Sequence, residues 1–266
     1  MAYITPLLSA IVDAVKKSAS SVDRDFMEIE KLQNSVKSIK TFVFNSYTRL
    51  EQNLKIELSK IRADIPVLTP SDKIAGSSYF AVSPIEGLIN FAHGNPDFAV
   101  SVALVENNNI VCAVIYSPVH DELFFAFSGM GAFKEGFRNQ ERLRTSSLKD
   151  LGSALVASTA SFETDLMPLQ QIHAAILKAT GNLRISGCAA LDLAYVAAGK
   201  YDAFVGSKCH FCAIAAGLLM VKEAGGAVRA LSQKDGRAED MEAVRQTGDL
   251  AATNFGCSQS ILTIFK

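Results

Sequence analysis

The sequence lacks an excess of charge of either sign. Its 266 residues include 26 lysines and arginines against 27 aspartates and glutamates, a formal net charge of −1 at neutral pH. A chain this close to neutrality has no global field that would attract nucleic acid or an anionic membrane surface. We therefore expect no nucleic-acid or membrane partner, and any other partner must be recognised through local groups.

Cysteines are few, odd in number and irregularly spaced. Secreted proteins that depend on disulfide bonds carry regular cysteine frameworks, so the sequence predicts a reduced, cytoplasmic protein instead. Cys209 and Cys212 do form a CxxC pair around His210. A zinc site needs more ligands than this pair supplies. Small buried cysteines that pack as hydrophobes are the preferred interpretation, with zinc binding and thiol redox chemistry as alternatives.

Long hydrophobic runs are also missing. The longest covers residues 211–221, short of the ~20 residues that a membrane span requires. Residues 1–26 are apolar at helical spacing and lack the basic start and apolar stretch of a signal peptide. No repeat, low-complexity tract or long linker divides the chain, so we expect one compact unit with an ample core.

Apolar periodicity separates two halves of this unit. In the N-terminal half, residues 1–148, two helices are predicted at 1–26 and 48–62, and Thr48 and Glu51 have the spacing of a capping box. An antiparallel meander follows, with strands predicted at 99–105, 110–116 and 122–127. In the C-terminal half, residues 149–266, strands alternate with helices. The strands are predicted at 154–159, 201–205 and 227–231, and the helices at 164–179, 189–199 and 212–224.

Four segments together resemble one family. They are FAVSPIEGLINFAH at 80–93, PDFAVSVAL at 96–104 running into VIYSPVHDEL at 114–123, GCAALDLAYVAAGKYDA at 187–203 and AIAAGLLMVKEAGG at 213–226. This combination resembles the inositol monophosphatase family, the magnesium-dependent, lithium-sensitive phosphatases, from about residue 6 to the end. The resemblance implies an α/β (α+β) fold, a layered αβαβα sandwich, and a homodimer.

The resemblance fails where the chemistry of that family resides. The positions equivalent to its metal-binding acids are Tyr47, Pro70, Ser83, Glu86 and Ala213. Even at an effective dielectric constant of ~20, one carboxylate ~4 Å from a divalent ion contributes several kcal/mol of attraction. The interaction energy lost with four of the five carboxylates therefore exceeds the free energy of ordinary magnesium binding. Only the carboxylate of Glu86 survives, one methylene longer. We expect no metal site and no cofactor, with Mg²⁺ required only if residual activity exists.

The catalytic positions have changed as well. Pro70 and Leu88 stand where the resemblance implies a glutamate and a threonine that position the attacking water, so no intact catalytic residue is expected. A vestigial substrate or anion site is implied at Glu86, Gly87, Leu88, Gly187, Cys188 and Ala189. Backbone amides at a helix N-terminus bind anions whatever the side chains are, although an ionised Glu86 would oppose a phosphate.

These substitutions predict a catalytically inactive relative, a pseudoenzyme with a binding or regulatory role. Its partner would be a phosphorylated small molecule or a protein. The alternative is a divalent-metal-dependent phosphatase that hydrolyses a small phosphomonoester such as inositol monophosphate. It would use one ion at Glu86 and Asp72, or a different ion at Cys209 and His210. A pocket filled by Leu88 and Tyr47 would end this alternative, whereas an open pocket would keep it.

Overall fold

The structure is a computed structural model, and it describes residues 5–32, 36–136, 139–160, 166–231 and 241–264. Three helices form its first layer, α1 (Pro6–Ala19), α2 (Val22–Leu32) and α3 (Val36–Ile61). Leu50, Leu54 and Leu58 lie three or four residues apart on α3, so they form one stripe, and all three are fully buried against the first sheet.

The predicted start of the second helix at Thr48 is wrong. The helix α3 begins at Val36, and Thr48 and Glu51 lie in its interior. The apolar stripe continues upstream, because Ile39 and Val43 also pack in the core cluster beneath the first sheet. Tertiary packing therefore extends the helix past a local pattern that resembles a capping box.

A seven-stranded sheet forms the second layer, and its strands lie side by side in chain order. They are β1 (Val67–Leu68), β2 (Tyr79–Glu86), β3 (Ala99–Glu106), β4 (Asn109–Ser117), β5 (Glu122–Phe127), β6 (Gly131–Glu135) and β7 (Gln140–Arg142), with the short helix α4 (Leu88–Ala92) between β2 and β3. All neighbours pair antiparallel except β1 and β2. The predicted meander corresponds to β3, β4 and β5.

The C-terminal part supplies the other three layers. Its elements are β8 (Val156–Ala160), α5 (Leu166–Thr180), β9 (Leu183–Arg184), α6 (Ala189–Ala197), β10 (Ala203–Ser207), α7 (Phe211–Glu223), β11 (Ala227–Ala230), α8 (Met241–Thr247), β12 (Leu250–Thr253) and α9 (Ser258–Thr263). A second sheet has the order β11-β12-β10-β8-β9. The helices α6 and α7 lie between the two sheets, whereas α5 and α9 cover the outer face of the second. The molecule is therefore the predicted αβαβα sandwich.

The two predicted halves, 1–148 and 149–266, share a core. The boundary lies between β7 and β8, yet α6 and α7 from the C-terminal part cover one face of the first sheet. The division into two halves stays a prediction. Within the described ranges, no helix combines the length and the apolarity that crossing a membrane requires.

The packing of α3 gives a prediction for stability. Leu54→Ala should lower the free energy of unfolding by about 2–5 kcal/mol, because removing a buried side chain leaves a cavity. Ile56→Ala on the same helix is the matched control, since Ile56 is 55% exposed. It should change stability by about 0.5 kcal/mol or less. Chemical denaturation measures both variants, and equally small changes would contradict the packing of α3 against the sheet.

Candidate functional site

A cavity of about 650 Å³ opens where the end of β2, the helix α4 and the N-termini of α6 and α7 meet. It is lined by most of the positions predicted from the sequence, namely Tyr47, Pro70, Ser83, Glu86, Gly87, Leu88, Gly187, Ala189 and Ala213. The lining also includes Ile85, Ile89, Asn90, Thr159, Cys209 and His210. Most of the positions taken from the resemblance thus lie at one cavity, and the isoleucines, Asn90 and Thr159 were not singled out from the sequence.

A β-bulge brings Ser83 and Glu86 to the same side of β2. Residues three apart on a regular strand point to opposite faces. Here the register against β3 shifts between Ser83 and Glu86, which face Ser101 and Ala99 respectively. The extra residue reverses the alternation. As a result the Ser83 hydroxyl lies 3.5 Å from Glu86 Oε2, and both side chains reach the cavity.

The carboxylate of Glu86 binds the first residue of α6. The backbone N–H of Ala189 donates to Glu86 Oε1 over 3.1 Å. Burial raises the pKa of Glu86 to about 7, and hydrogen bonds from Ala189 and Ser83 oppose this rise. The positive end of a helix dipole favours an anion. The N-terminus of α6 therefore stabilises the ionised carboxylate of Glu86, which belongs to β2. Near neutral pH, Glu86 is present in both its neutral and its ionised form.

Gly87 and Asn90 hold the turn after β2 against the loop that precedes α6. Gly87 has a φ of 86°, and a Cβ there would lie 2.8 Å from the Asp97 carbonyl oxygen, so only glycine fits. The side-chain amide of Asn90 donates to the carbonyls of Asp97 and Ser186. A Cβ added at Gly187 would lie 3.3 Å from Nδ2 of Asn90, so the two segments approach closely. These contacts position the cavity wall between the two halves.

The resemblance implied that Cys188 belongs to the ligand site, but Cys188 is not among the residues that line the cavity. Its side chain is fully buried, and its thiol lies 3.5 Å from the backbone carbonyl oxygen of Glu86. The thiol of Cys212 is buried as well, 3.6 Å from the Leu68 carbonyl. Burial raises the pKa of Cys212 to about 12 and that of Cys209 further, so these thiols stay protonated. This agrees with the interpretation of the cysteines as small packing residues.

His210 caps α7 and lies at the cavity wall. The backbone N–H of Cys212 donates to its Nδ1 over 3.2 Å. Nδ1 therefore carries no proton, and the proton of the neutral ring is on Nε2. Burial also lowers the pKa of His210. The imidazole is thus a neutral hydrogen-bond donor and not a cation.

The donor set does not fit the magnesium cluster that the resemblance implies. Glu86 supplies the cavity with a single carboxylate, whereas Mg²⁺ pairs or clusters are held by several. Asp72, the second ligand in the phosphatase alternative, accepts hydrogen bonds from the backbone N–H and the hydroxyl of Thr69. Its Oδ2 lies 3.7 Å from Lys55 Nζ. It is absent from the cavity wall. Among the residues that the structure describes, no group of three or more histidines, cysteines or acids could hold a metal ion.

The cavity is open rather than filled. Leu88 is 38% exposed and Ile89 51% exposed, so neither side chain closes it. Tyr47 contributes a phenol that stays protonated, because burial and nearby acids raise its pKa. A filled cavity would have ended the phosphatase alternative, so that alternative remains.

The raised pKa of Glu86 predicts a pH-dependent stability. The carboxyl titrates near 4.5 in the unfolded chain and near 7 in the folded one, so stability falls as pH rises through this interval. Glu86→Gln has no proton to lose. It should therefore be more stable than the wild type by about 3 kcal/mol at about pH 8, and equal to it at about pH 4. Thermal or chemical denaturation at both pH values measures this difference.

Glu242→Gln serves as the matched control. Hydrogen bonds from Arg245 lower the pKa of the exposed Glu242, so its replacement should bring no gain near pH 8. An equal gain in both variants, or a gain for Glu86→Gln that is as large near pH 4, would contradict the assignment.

Comparisons with known proteins agree with the fold. Residues 4–261 match the model of the Inositol monophosphatase family. The "Inositol-1-monophosphatase" of Rhizobium meliloti is 36% identical over 83% of this chain and 84% of its own. The "Nus factor SuhB" of Pseudomonas aeruginosa is 31% identical over 98% and 96%. The crystal structure of the extragenic suppressor protein suhB from Bartonella henselae superposes with a TM-score of 0.80 and 31% identity, covering 98% of each chain. The chain therefore belongs to the inositol monophosphatase family.

Proposed function

We propose that this member of the family binds a small ligand in its cavity without metal-dependent hydrolysis. One observation carries the proposal. The cavity forms at positions that the resemblance assigns to the family's site and has a volume of about 650 Å³, but the one carboxylate among its described lining residues is already hydrogen-bonded to Ala189. Such a cavity retains the means to bind and lacks the charge that holds metal ions at a phosphate.

The lining offers no replacement for the lost groups. Ala213 and Leu88 carry hydrocarbon side chains, and Pro70 has neither a polar side chain nor a backbone donor. The hydroxyls of Tyr47 and Ser83 are neutral, so they do not offset the charge of a divalent ion. Activation of water therefore has no source among these residues.

The phosphatase alternative is the second candidate. The relatives support it more directly than they support inactivity, since one carries the name of the phosphatase itself. An open cavity that retains Glu86 also favours it. In this alternative a single Mg²⁺ would have to bind at Glu86 together with the phosphate of the substrate. The substrate would be a small phosphomonoester such as inositol monophosphate.

The remaining expectations about partners are also proposals. A homodimer and a cytoplasmic location follow from the family resemblance and from the cysteine pattern. A protein partner gains support from the name Nus factor that one relative carries. A phosphorylated ligand is implied by the resemblance alone, and the ionised form of Glu86 weighs against it.

A phosphate-release assay tests the two candidates. The purified full chain is incubated with inositol monophosphate in millimolar Mg²⁺, beside the Rhizobium meliloti relative as the reference for an active phosphatase. We expect the release rate to be at least about a thousandfold below the reference, because several kcal/mol of transition-state stabilisation are missing. Isothermal titration with Mg²⁺ should show no binding in the millimolar range.

The Glu86→Gln variant separates the two candidates, because it removes the carboxylate on which the single-ion alternative depends. Turnover within about tenfold of the reference, abolished by a chelator and lost in Glu86→Gln, would overturn the proposal in favour of the single-ion phosphatase.

A further inference from the structure

The charges that face the cavity differ from those of a phosphate site. Within the part of the chain that the structure describes, no lysine or arginine lines it. Among the described lining residues Glu86 is the one acidic group, and His210 is held as a neutral donor by the backbone N–H of Cys212. An anionic ligand would find a carboxylate and no countercharge, which disfavours its transfer from water.

The N-terminus of α6 is already occupied. A helix N-terminus binds anions through its free N–H groups, yet the first of these in α6 donates to Glu86 Oε1 over 3.1 Å. The N–H of Cys188, one residue earlier, donates to the Ser186 hydroxyl. A phosphate would have to displace Glu86 before it could accept from the N–H of Ala189. The carboxylate thus takes the place of an external anion.

The same carboxylate is poorly balanced for a buried charge. Its neighbours in the cavity are neutral donors, with Ser83 at 3.5 Å, and no cation among the described residues pairs with it. A buried ionised group is stabilised by an opposite charge at hydrogen-bond distance. Ligands with a positive nitrogen would supply that charge.

Much of the remaining wall is hydrocarbon. Ile85, Leu88, Ile89, Ala189 and Ala213 line the cavity around the carboxylate. A volume of about 650 Å³ accommodates a molecule with a six-membered ring, and apolar walls with a few polar groups are typical of small-molecule sites. The wall favours a ligand with an apolar body and one polar end.

We propose that the cavity binds a small organic ammonium compound, with its nitrogen at the carboxylate of Glu86 and its hydrocarbon part against the isoleucines and Leu88. This specifies the ligand class of the cavity and rests on the proposed non-catalytic function. It also predicts discrimination against the phosphorylated ligands that the resemblance implied.

Three probes that share one ring test this specificity. Cyclohexylamine, cyclohexanol and cyclohexyl phosphate differ in charge and little in shape, and each is titrated into the full chain by isothermal calorimetry at about pH 8 with chelator present. We expect cyclohexylamine to bind at least about tenfold more tightly than the other two. This comparison uses the wild-type protein, so it does not depend on whether a variant folds.

Glu86→Gln and Glu242→Gln then identify the responsible group. Glu86→Gln should weaken cyclohexylamine binding about tenfold or more and leave the affinity for cyclohexanol nearly unchanged. Glu242 is an exposed residue of α8 that does not line the cavity, and its variant should bind all three probes like the wild type. Ligand-detected magnetic resonance on the same samples reports binding too weak for calorimetry.

Three results would overturn the ammonium proposal. They are binding of cyclohexyl phosphate as tight as that of cyclohexylamine, cyclohexylamine binding that survives Glu86→Gln, and the absence of binding by any of the probes. Each leaves the non-catalytic function intact. A different measurement would contradict the non-catalytic function, namely the release of phosphate from cyclohexyl phosphate when the chelator is replaced by Mg²⁺.

Discussion

The helices α6 and α7 must pack against two sheets at once, and most other features of the molecule depend on this constraint. A helix with a sheet on each side has no face left for water, so it is apolar almost all round, and Asp192 of α6 is the buried exception. Every residue of α7 from Phe211 to Val221 is buried, and in α6 only Tyr195 is not. The two helices also approach closely, since a Cβ on Gly217 would lie 2.4 Å from that of Leu193. The longest apolar run of the sequence is therefore a core helix.

This middle layer determines where the cavity forms. The helices α6 and α7 begin beside the bulged end of β2, and the cavity lies between these two helix starts and the strand. Glu86 then links β2 to α6, and with it the two halves of the chain. In this protein the carboxylate satisfies a helix N-terminus, whereas the resemblance implies a metal ligand at the same position.

The sequence predicted a good part of the fold, and its errors have physical reasons. Strands β3 to β5 and helices α6 and α7 have strong periodicity or continuous burial, so local pattern located them. The start of α3 depends on packing beneath the sheet and was misplaced at Thr48. The strand β2 carries a proline and a bulge, which weaken any period-two signal, and it was not predicted as a strand. The contacts of Cys188 and Asp72 also needed the fold.

By itself the sequence determined the family, the layered architecture and which positions lack acids, because these depend on residue identity and spacing along the chain. Only the tertiary structure decided what the surviving groups do. The open cavity and the hydrogen bond between Glu86 and Ala189 depend on contacts between residues distant in sequence. The neutral state of His210 depends on the local geometry at the start of α7. Charge and hydrogen bonding act over a few ångströms in space, so their consequences become definite when the chain is folded.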